Sequence, residues 1–311
     1  MTQKIVQLAP MLGLIDAPFM NALAKIGGFD EMFMPYMVAD DNSLPKASVL
    51  RRRFANVDKS IAIVPQLLGN SASAFVHFAN TLFDAGYMKV NWNMGCPQPF
   101  VVRRNRGAAM LKEIHLTSRI LEQAMPKLKP QLSVKIRLGY ESKDEFPALI
   151  EMLNQFSLCE VIVHARTAVQ QYEGEADRKC FVDVASKSAN MVIYNGDIVK
   201  AGEVNAVDVP NLKGYMVGRG AIVNPFIGLQ IKGESGASQI RFRQFCEEIQ
   251  HWYLQNGTGN CLNRLKELWS FFSKSFVDSD EVFAKIKPIG NVNDFEKTVN
   301  VVFERYQLAI G

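Results

Sequence analysis

Residues 87–97 read YMKVNWNMGCP. A β-forming, largely apolar run ends in asparagine, glycine, cysteine and proline, and the residues beyond return to helical spacing. That is the pattern of a buried strand delivering its last side chains into a loop. The same rhythm predicts strands at 5–11, 31–38, 61–68, 87–93, 133–138, 161–164, 192–195 and 214–217. Segments with apolar residues recurring at three and four lie between them, among them 17–28, 71–85, 116–128 and 144–156. Strands alternating with helices imply a parallel sheet, and eight such units imply a closed (β/α)₈ TIM barrel. No GxGxxG follows the first strand, which weighs against an open doubly wound sheet.

The predicted strands end in residues of chemical interest: APM at 9–11, Gln66, NMGCP at 93–97, KIRLG at 135–139, HART at 164–167, YNGD at 194–197 and GRG at 218–220. In such barrels functional residues gather at the carboxyl ends of the strands. Beyond KGESGAS at 232–238 the texture changes, and every segment from 239 onward has helical period with no strand candidate. The expected organisation is a barrel domain over 1–235 followed by a small all-α bundle over 236–311.

Composition bounds the rest. The 311 residues are 48% apolar, with a formal net charge of +4 from 35 Lys+Arg against 31 Asp+Glu. The basic excess is local, densest in RRR at 51–53 and RRNR at 103–106, whereas 236–311 carries nine residues of each sign. Five cysteines without CxxC spacing argue against a disulfide framework and a zinc site. With no signal segment and no run long enough to span a bilayer, a cytoplasmic protein without a membrane or metal partner is expected, as a monomer.

Glycines and an arginine in Asn195-Gly196-Asp197 and Gly218-Arg219-Gly220 stand where the seventh and eighth loops begin, a common phosphate site in barrels. In SVKIRLG, Lys135 and Arg137 share one strand face while Val134, Ile136 and Leu138 share the other. Two cations aimed into a barrel mouth need an anionic partner. A reduced flavin would supply one; alternatively Lys135 is the Schiff-base nucleophile of a lyase. His164 and Arg166 follow the same logic on the sixth strand, and Gln66 offers a donor and an acceptor to a ring edge. Cys96 is either a small packing residue or a thiol held out by its Gly-Cys-Pro turn, mostly protonated at neutral pH and so able to act as an acid. Its four companion cysteines read as buried packing.

Together LAPMLGLIDAPFM at 8–20, NMGCP, VKIRLG, VHARTAVQQYEGEAD at 163–177, YNGD and VGRGAIVNP at 217–225 resemble the dihydrouridine synthase family, with a weak lean to the bacterial C-type subgroup. RLKELWSFF at 264–272 resembles a helix of that family's RNA-contacting domain. The resemblance implies a flavin oxidoreductase that reduces specific uridines to 5,6-dihydrouridine in tRNA, with rRNA an open alternative. It implies FMN contacts from Pro10, Met11, Gln66, Lys135, His164, Asn195, Asp197, Gly218 and Arg219, joined by Gly196 of the phosphate turn. NADPH is the implied reductant, hydride passes to C6 of uracil, and Cys96 protonates C5. Asn93 is implied to lie beside the base, and Arg137, Arg166, Arg103, Arg104 and Arg106 are expected to hold the RNA. A barrel that binds RNA without catalysis, and a flavin-free lyase using Lys135, are the alternatives.

The sequence departs from the family pattern at four places. Asn91 stands where an aspartate is usual, Met20 replaces a common arginine, and MPYM at 34–37 lacks an acidic residue. VVRRNRGAAM at 101–110 carries fewer glycines and more positive charge, which points to an altered grip on RNA.

Overall fold

The computed structural model describes residues 3–41, 50, 54–58, 60–257 and 260–310; the basic run at 51–53 lies outside them. Eight strands close into a parallel barrel in chain order: β1 Ile5–Leu8, β2 Glu31–Val38, β3 Ile63–Leu68, β4 Lys89–Asn93, β5 Gln131–Arg137, β6 Glu160–His164, β7 Val192–Asn195 and β8 Leu212–Val217. β1 is three residues shorter than expected. Ala9 still pairs with Val217 (N···O 2.8 Å), but Pro10 has no N–H with which to extend the ladder. Gln66 is not the end of its strand, since β3 continues to Leu68.

Helices fill most of the described connections, and three of them begin at a side-chain cap. Asp16 accepts from Phe19 N ahead of the helix Ala17–Ile26, Ser71 caps Ala72–Asp84, and Asp177 caps Arg178–Ala185. Val134, Ile136 and Leu138 bury against this helical layer, so Lys135 and Arg137 on the opposite face turn into the barrel.

The barrel interior is layered. At its amino end Glu160, fully buried, pairs with Lys89 (2.7 Å) and Lys213 (2.6 Å), while Lys89 also reaches Glu31 (2.7 Å). Burial pushes the Glu160 carboxyl up, but the two lysines outweigh it and hold the group below its ordinary value. An apolar layer of Phe33, Val64, Ile162, Ile193 and Met216 lies above. At the carboxyl end, the register runs Arg137 beside His164, His164 beside Asn195 and Asn195 beside Met216, with Asn93 beside Lys135. The functional candidates thus sit in one row around the rim.

The helices Gln239–Asn256, Cys261–Phe272, Ser279–Ile286 and Val292–Arg305 follow. Phe242, Trp269, Phe272, Phe276 and Phe303 pack as an aromatic cluster, and Phe245 meets Phe19 edge to face at 5.5 Å. The apolar core is therefore continuous from the barrel into these helices. Of the four other cysteines only Cys246 is buried; Cys159, Cys180 and Cys261 are partly exposed, so packing alone does not describe them. Among the described residues no helix is long and apolar enough to cross a membrane.

Candidate active site

Cys96 is held from three directions. Asn93, the last residue of β4, turns its side-chain oxygen back to accept from Gly95 N (3.1 Å) and Cys96 N (2.9 Å). Arg137 Nε donates to the Gly95 carbonyl (2.9 Å), and Ala108 N donates to the Cys96 carbonyl (2.9 Å). Gly107 is obligatory at that last approach. Its φ is +59° and an added Cβ would lie 2.7 Å from the Cys96 carbonyl oxygen. With its backbone fixed, the thiol faces a cavity of about 370 Å³ at the barrel mouth. Burial pushes the thiol up from its ordinary value, opposed by a Gln98 backbone hydrogen bond and by Arg137 and Lys135. A proton therefore stays on sulfur at neutral pH.

Asn93 is itself oriented by a chain of amides. Asn93 Nδ2 donates to Gln66 Oε1 (2.8 Å), Gln66 Nε2 to Asn91 Oδ1 (2.7 Å), and Asn91 Nδ2 to Ser133 Oγ (2.8 Å). The uncharged Asn91 thus supplies one donor and one acceptor to a buried, fully satisfied network. This is the physical role of a residue that looked anomalous in the sequence.

Behind this cavity a second one of about 120 Å³ reaches toward Gly196, Asp197 and Gly218. The two share Pro10, Met11, Lys135, His164, Tyr172 and Arg219 as common walls. Lys135 Nζ donates to Asn195 Oδ1 (2.9 Å) and has no carboxylate partner among the described residues. Burial, reinforced by Arg137, lowers it to about 7. His164 falls well below its ordinary value for the same reason, with Lys135, Arg137, Arg166 and Arg219 adding to burial. Lys135, Arg137, Arg166 and Arg219 thus concentrate positive potential around His164, which favours a negatively charged group there.

Asp197 adopts φ +46°, a left-handed conformation for a non-glycine residue. It is held there by Arg166 Nη2 (2.5 Å) and Ala176 N (2.8 Å), with Arg219 at 3.5 Å.

The sequence profile of the family described as "Dihydrouridine synthase (Dus)" matches residues 7–275. The chain belongs to the dihydrouridine synthase family. Similar relatives include a tRNA-dihydrouridine(16) synthase of Neisseria meningitidis serogroup A, 27% identical over 94% of this chain and 93% of the relative. A second, from Pseudomonas putida, is 29% identical over 91% and 92%. A probable tRNA-dihydrouridine synthase of Rickettsia bellii is 30% identical over 72% and 69%. Among solved structures, the old yellow enzyme from Trypanosoma cruzi shares the fold, with TM-score 0.53, 11% identity, and coverage of 76% of this chain and 89% of that one.

Within this dihydrouridine synthase family member, the expected site residues divide into three groups. Pro10, Met11, Lys135, His164, Asn195, Gly196, Asp197, Gly218 and Arg219 line the inner cavity, and Asn93 and Cys96 line the outer one with Arg137. Gln66 lies one hydrogen bond behind Asn93 and lines neither. Arg166 is buried and spent on Asp197 and the carbonyls of Glu173 and Gly174, so it shapes the loop rather than facing the cavity. Arg137 likewise donates to three carbonyls, those of Gly95, Thr167 and Gln171. Arg106 pairs with Asp40, while Arg103 and Arg104 are exposed, and none of the three lines either cavity.

Tyr172 was not singled out by sequence. It is half exposed, lines both cavities, and lies under the Arg219 (4.8 Å) and Arg137 (5.5 Å) guanidinium groups. The only signal was a lone aromatic residue in the sixth loop.

Proposed function

We propose that this chain binds FMN in the inner cavity and, with NADPH as reductant, reduces uridine in tRNA to 5,6-dihydrouridine, with Cys96 as the acid. One observation carries the reading: the Cys96 thiol and a cluster of Lys135, His164 and Arg219 line adjoining cavities with shared walls. The residues fit a flavin. Lys135 is a partly buried amine without a carboxylate partner among the described residues, suited to the electron-rich edge of a reduced isoalloxazine. Gly196, Gly218 and Arg219 offer backbone approach and a positive charge to a phosphate. An added Cβ on Gly196 would lie 2.8 Å from that of Ala176, so no larger residue fits.

When bound, reduced FMN supplies the hydride that adds to C6 of the uracil ring. Cys96 then gives its proton to C5, the raised thiol keeping that proton in place until it is needed. Asn93 orients the Cys96 backbone through its oxygen, and Arg137 holds the turn. A stacked or paired uridine must leave its helix to reach the thiol, at a cost of about a few kcal/mol. Exposed Arg103 and Arg104 are placed to offset this through phosphate contacts. The relatives matched over most of their length are named for position 16, which makes U16 of tRNA the first nucleotide to examine. An enzyme that acts on tRNA in this way would work in the cytoplasm.

The purified protein should be yellow, with flavin absorption, and should convert uridine to dihydrouridine in unmodified tRNA when given NADPH. A colourless protein that FMN cannot reconstitute removes the reading. One observation favours a flavin-free lyase, the lowering of Lys135 to about 7. That alternative requires borohydride to trap a carbonyl compound on Lys135, and a yellow protein inert to trapping excludes it.

A further inference from the structure

The Cys96 cavity is walled almost wholly by the barrel's own strands and loops. Among the described residues, the one lining side chain from the C-terminal helices is Phe271. Its helix, Cys261–Phe272, buries Leu265, Leu268, Trp269 and Phe272, the i, i+3, i+4, i+7 stripe that seats it on the core. Arg264 and Phe271 are also seven residues apart and share a flank of the helix outside that stripe.

Arg264 fixes this flank to the first βα loop. Its Nη2 donates to the Leu14 carbonyl (2.9 Å) and its Nε to Tyr253 Oη (3.0 Å), and Tyr253 in turn donates to Asp16. The same loop carries Met11, Leu12 and Leu14 to the cavity wall. The helix is thus held at the mouth, with Phe271 presented to the space that Cys96 faces.

Phe271 differs from its aromatic neighbours. Trp269 and Phe272 pack ring against ring within the cluster around Phe242 and Phe303, whereas Phe271 has no ring contact among the described residues and is only partly buried. Lys274 Nζ, 5.5 Å from the ring centroid, is its charged neighbour. A partly exposed aromatic ring lining a cavity, with a lysine beside it, is the arrangement of a platform on which a base can stack.

We infer that Phe271 is a substrate-positioning residue, packing against the uridine or its adjoining base as the nucleotide enters the Cys96 cavity. This rests on the reading of the chain as a uridine reductase. The helix Cys261–Phe272 thereby completes the wall of the reaction cavity. Docking of the RNA and placement of the base become linked through one side chain.

The test compares wild type, Phe271→Tyr, Phe271→Leu and Phe271→Ala holoenzymes on an unmodified tRNA transcript. Stacking predicts that Tyr stays within about twofold of wild type, while Leu and Ala lose about tenfold or more in kcat for dihydrouridine formation. The KM for tRNA should change little, because phosphate contacts dominate that affinity. Flavin content, and NADPH-driven flavin reduction without tRNA, should match wild type in all three. Leu fills much of the same volume without an aromatic face, so it carries the test if Ala fails to fold. Wild-type turnover in Leu, or equal losses in Tyr and Leu, overturns the inference while leaving the uridine-reductase reading intact. A wild-type chain that takes up flavin but reduces no uridine overturns the reading, and the inference with it.

Discussion

Asn93 Oδ1 accepts from the Cys96 backbone N–H at 2.9 Å, and the same side chain donates to Gln66 Oε1 at 2.8 Å. One amide therefore ties the turn that presents the thiol to a buried network spanning β3, β4 and β5.

Removing that tie should disorder the turn without touching the flavin pocket. Asn93→Ala leaves Gln66 Oε1 and the Cys96 N–H unpaired, a cost of about 1–3 kcal/mol for each group that water cannot reach. Uridine reduction should fall about tenfold or more, while flavin absorbance is retained. Activity in steady-state assay, read beside the melting temperature, checks this; unchanged turnover would mean that the turn holds itself.

Lys135 offers a pH test. In the protein without bound anion it sits at about 7, so it carries charge below that pH and progressively loses it above. An anionic ligand favours the charged form, hence FMN affinity should weaken as pH rises from about 7 toward the ordinary lysine range. Lys135→Met should bind FMN less tightly at pH 6 and lose this slope above 7. Fluorescence titrations of wild type and mutant from pH 6 to 9 decide it, the difference between them cancelling titration of the phosphate itself.

The basic segment after Cys96 should act in two ways. Arg103 and Arg104 are exposed, and replacing both by alanine should weaken tRNA binding and reduce its logarithmic salt slope by up to about two. Arg106, paired with Asp40, should instead affect stability, its alanine variant leaving the salt slope near wild type. Binding isotherms at several salt concentrations separate the two, and an unchanged slope in the double mutant would mean that neither arginine touches phosphate.

At the closed end of the barrel, Glu160 holds Lys89 and Lys213 together. Glu160→Ala should destabilise the fold by less than the roughly 3–5 kcal/mol of a stranded buried charge, because Lys89 keeps Glu31 and Lys213 is partly exposed. The Glu160 pKa is lowered in the folded state, so its contribution is present above the ordinary carboxylate range and is lost as pH falls through the folded value. Denaturant unfolding at pH 7 measures the loss directly; stability equal to wild type would mean that the lysines find other partners.

Much of the fold was legible because strand and helix periods alternate so regularly. All eight strands were foreseen, and the departures lie at their ends, where Pro10 stops β1 early and β3 and β4 each begin two residues later than expected. Lys135 and His164 could be placed because a two-residue period puts them on the face opposite the buried apolar residues. What escaped was anything dependent on distant partners. Arg166 and Arg137 look like substrate ligands in one dimension, yet each is drawn to backbone carbonyls of loops that the fold brings alongside. Asn91 looked like a defect until Gln66 and Ser133 were seen on either side of it. Tyr172 and Phe271 lie within stretches that resemble the family, but neither could be singled out there, since an aromatic residue in a loop or on a helix flank gains meaning only from the cavity it meets.

The most direct test of the account mixes tRNA, without oxygen, with the chemically reduced flavoprotein and follows return of oxidised flavin absorbance, then quantifies dihydrouridine. Wild type should reoxidise in step with dihydrouridine formation. Cys96→Ala should keep its flavin and its tRNA affinity but react about 10²–10⁴-fold more slowly, the usual contribution of a positioned acid. Reoxidation and product formation at the wild-type rate in Cys96→Ala would contradict the assignment of the acid.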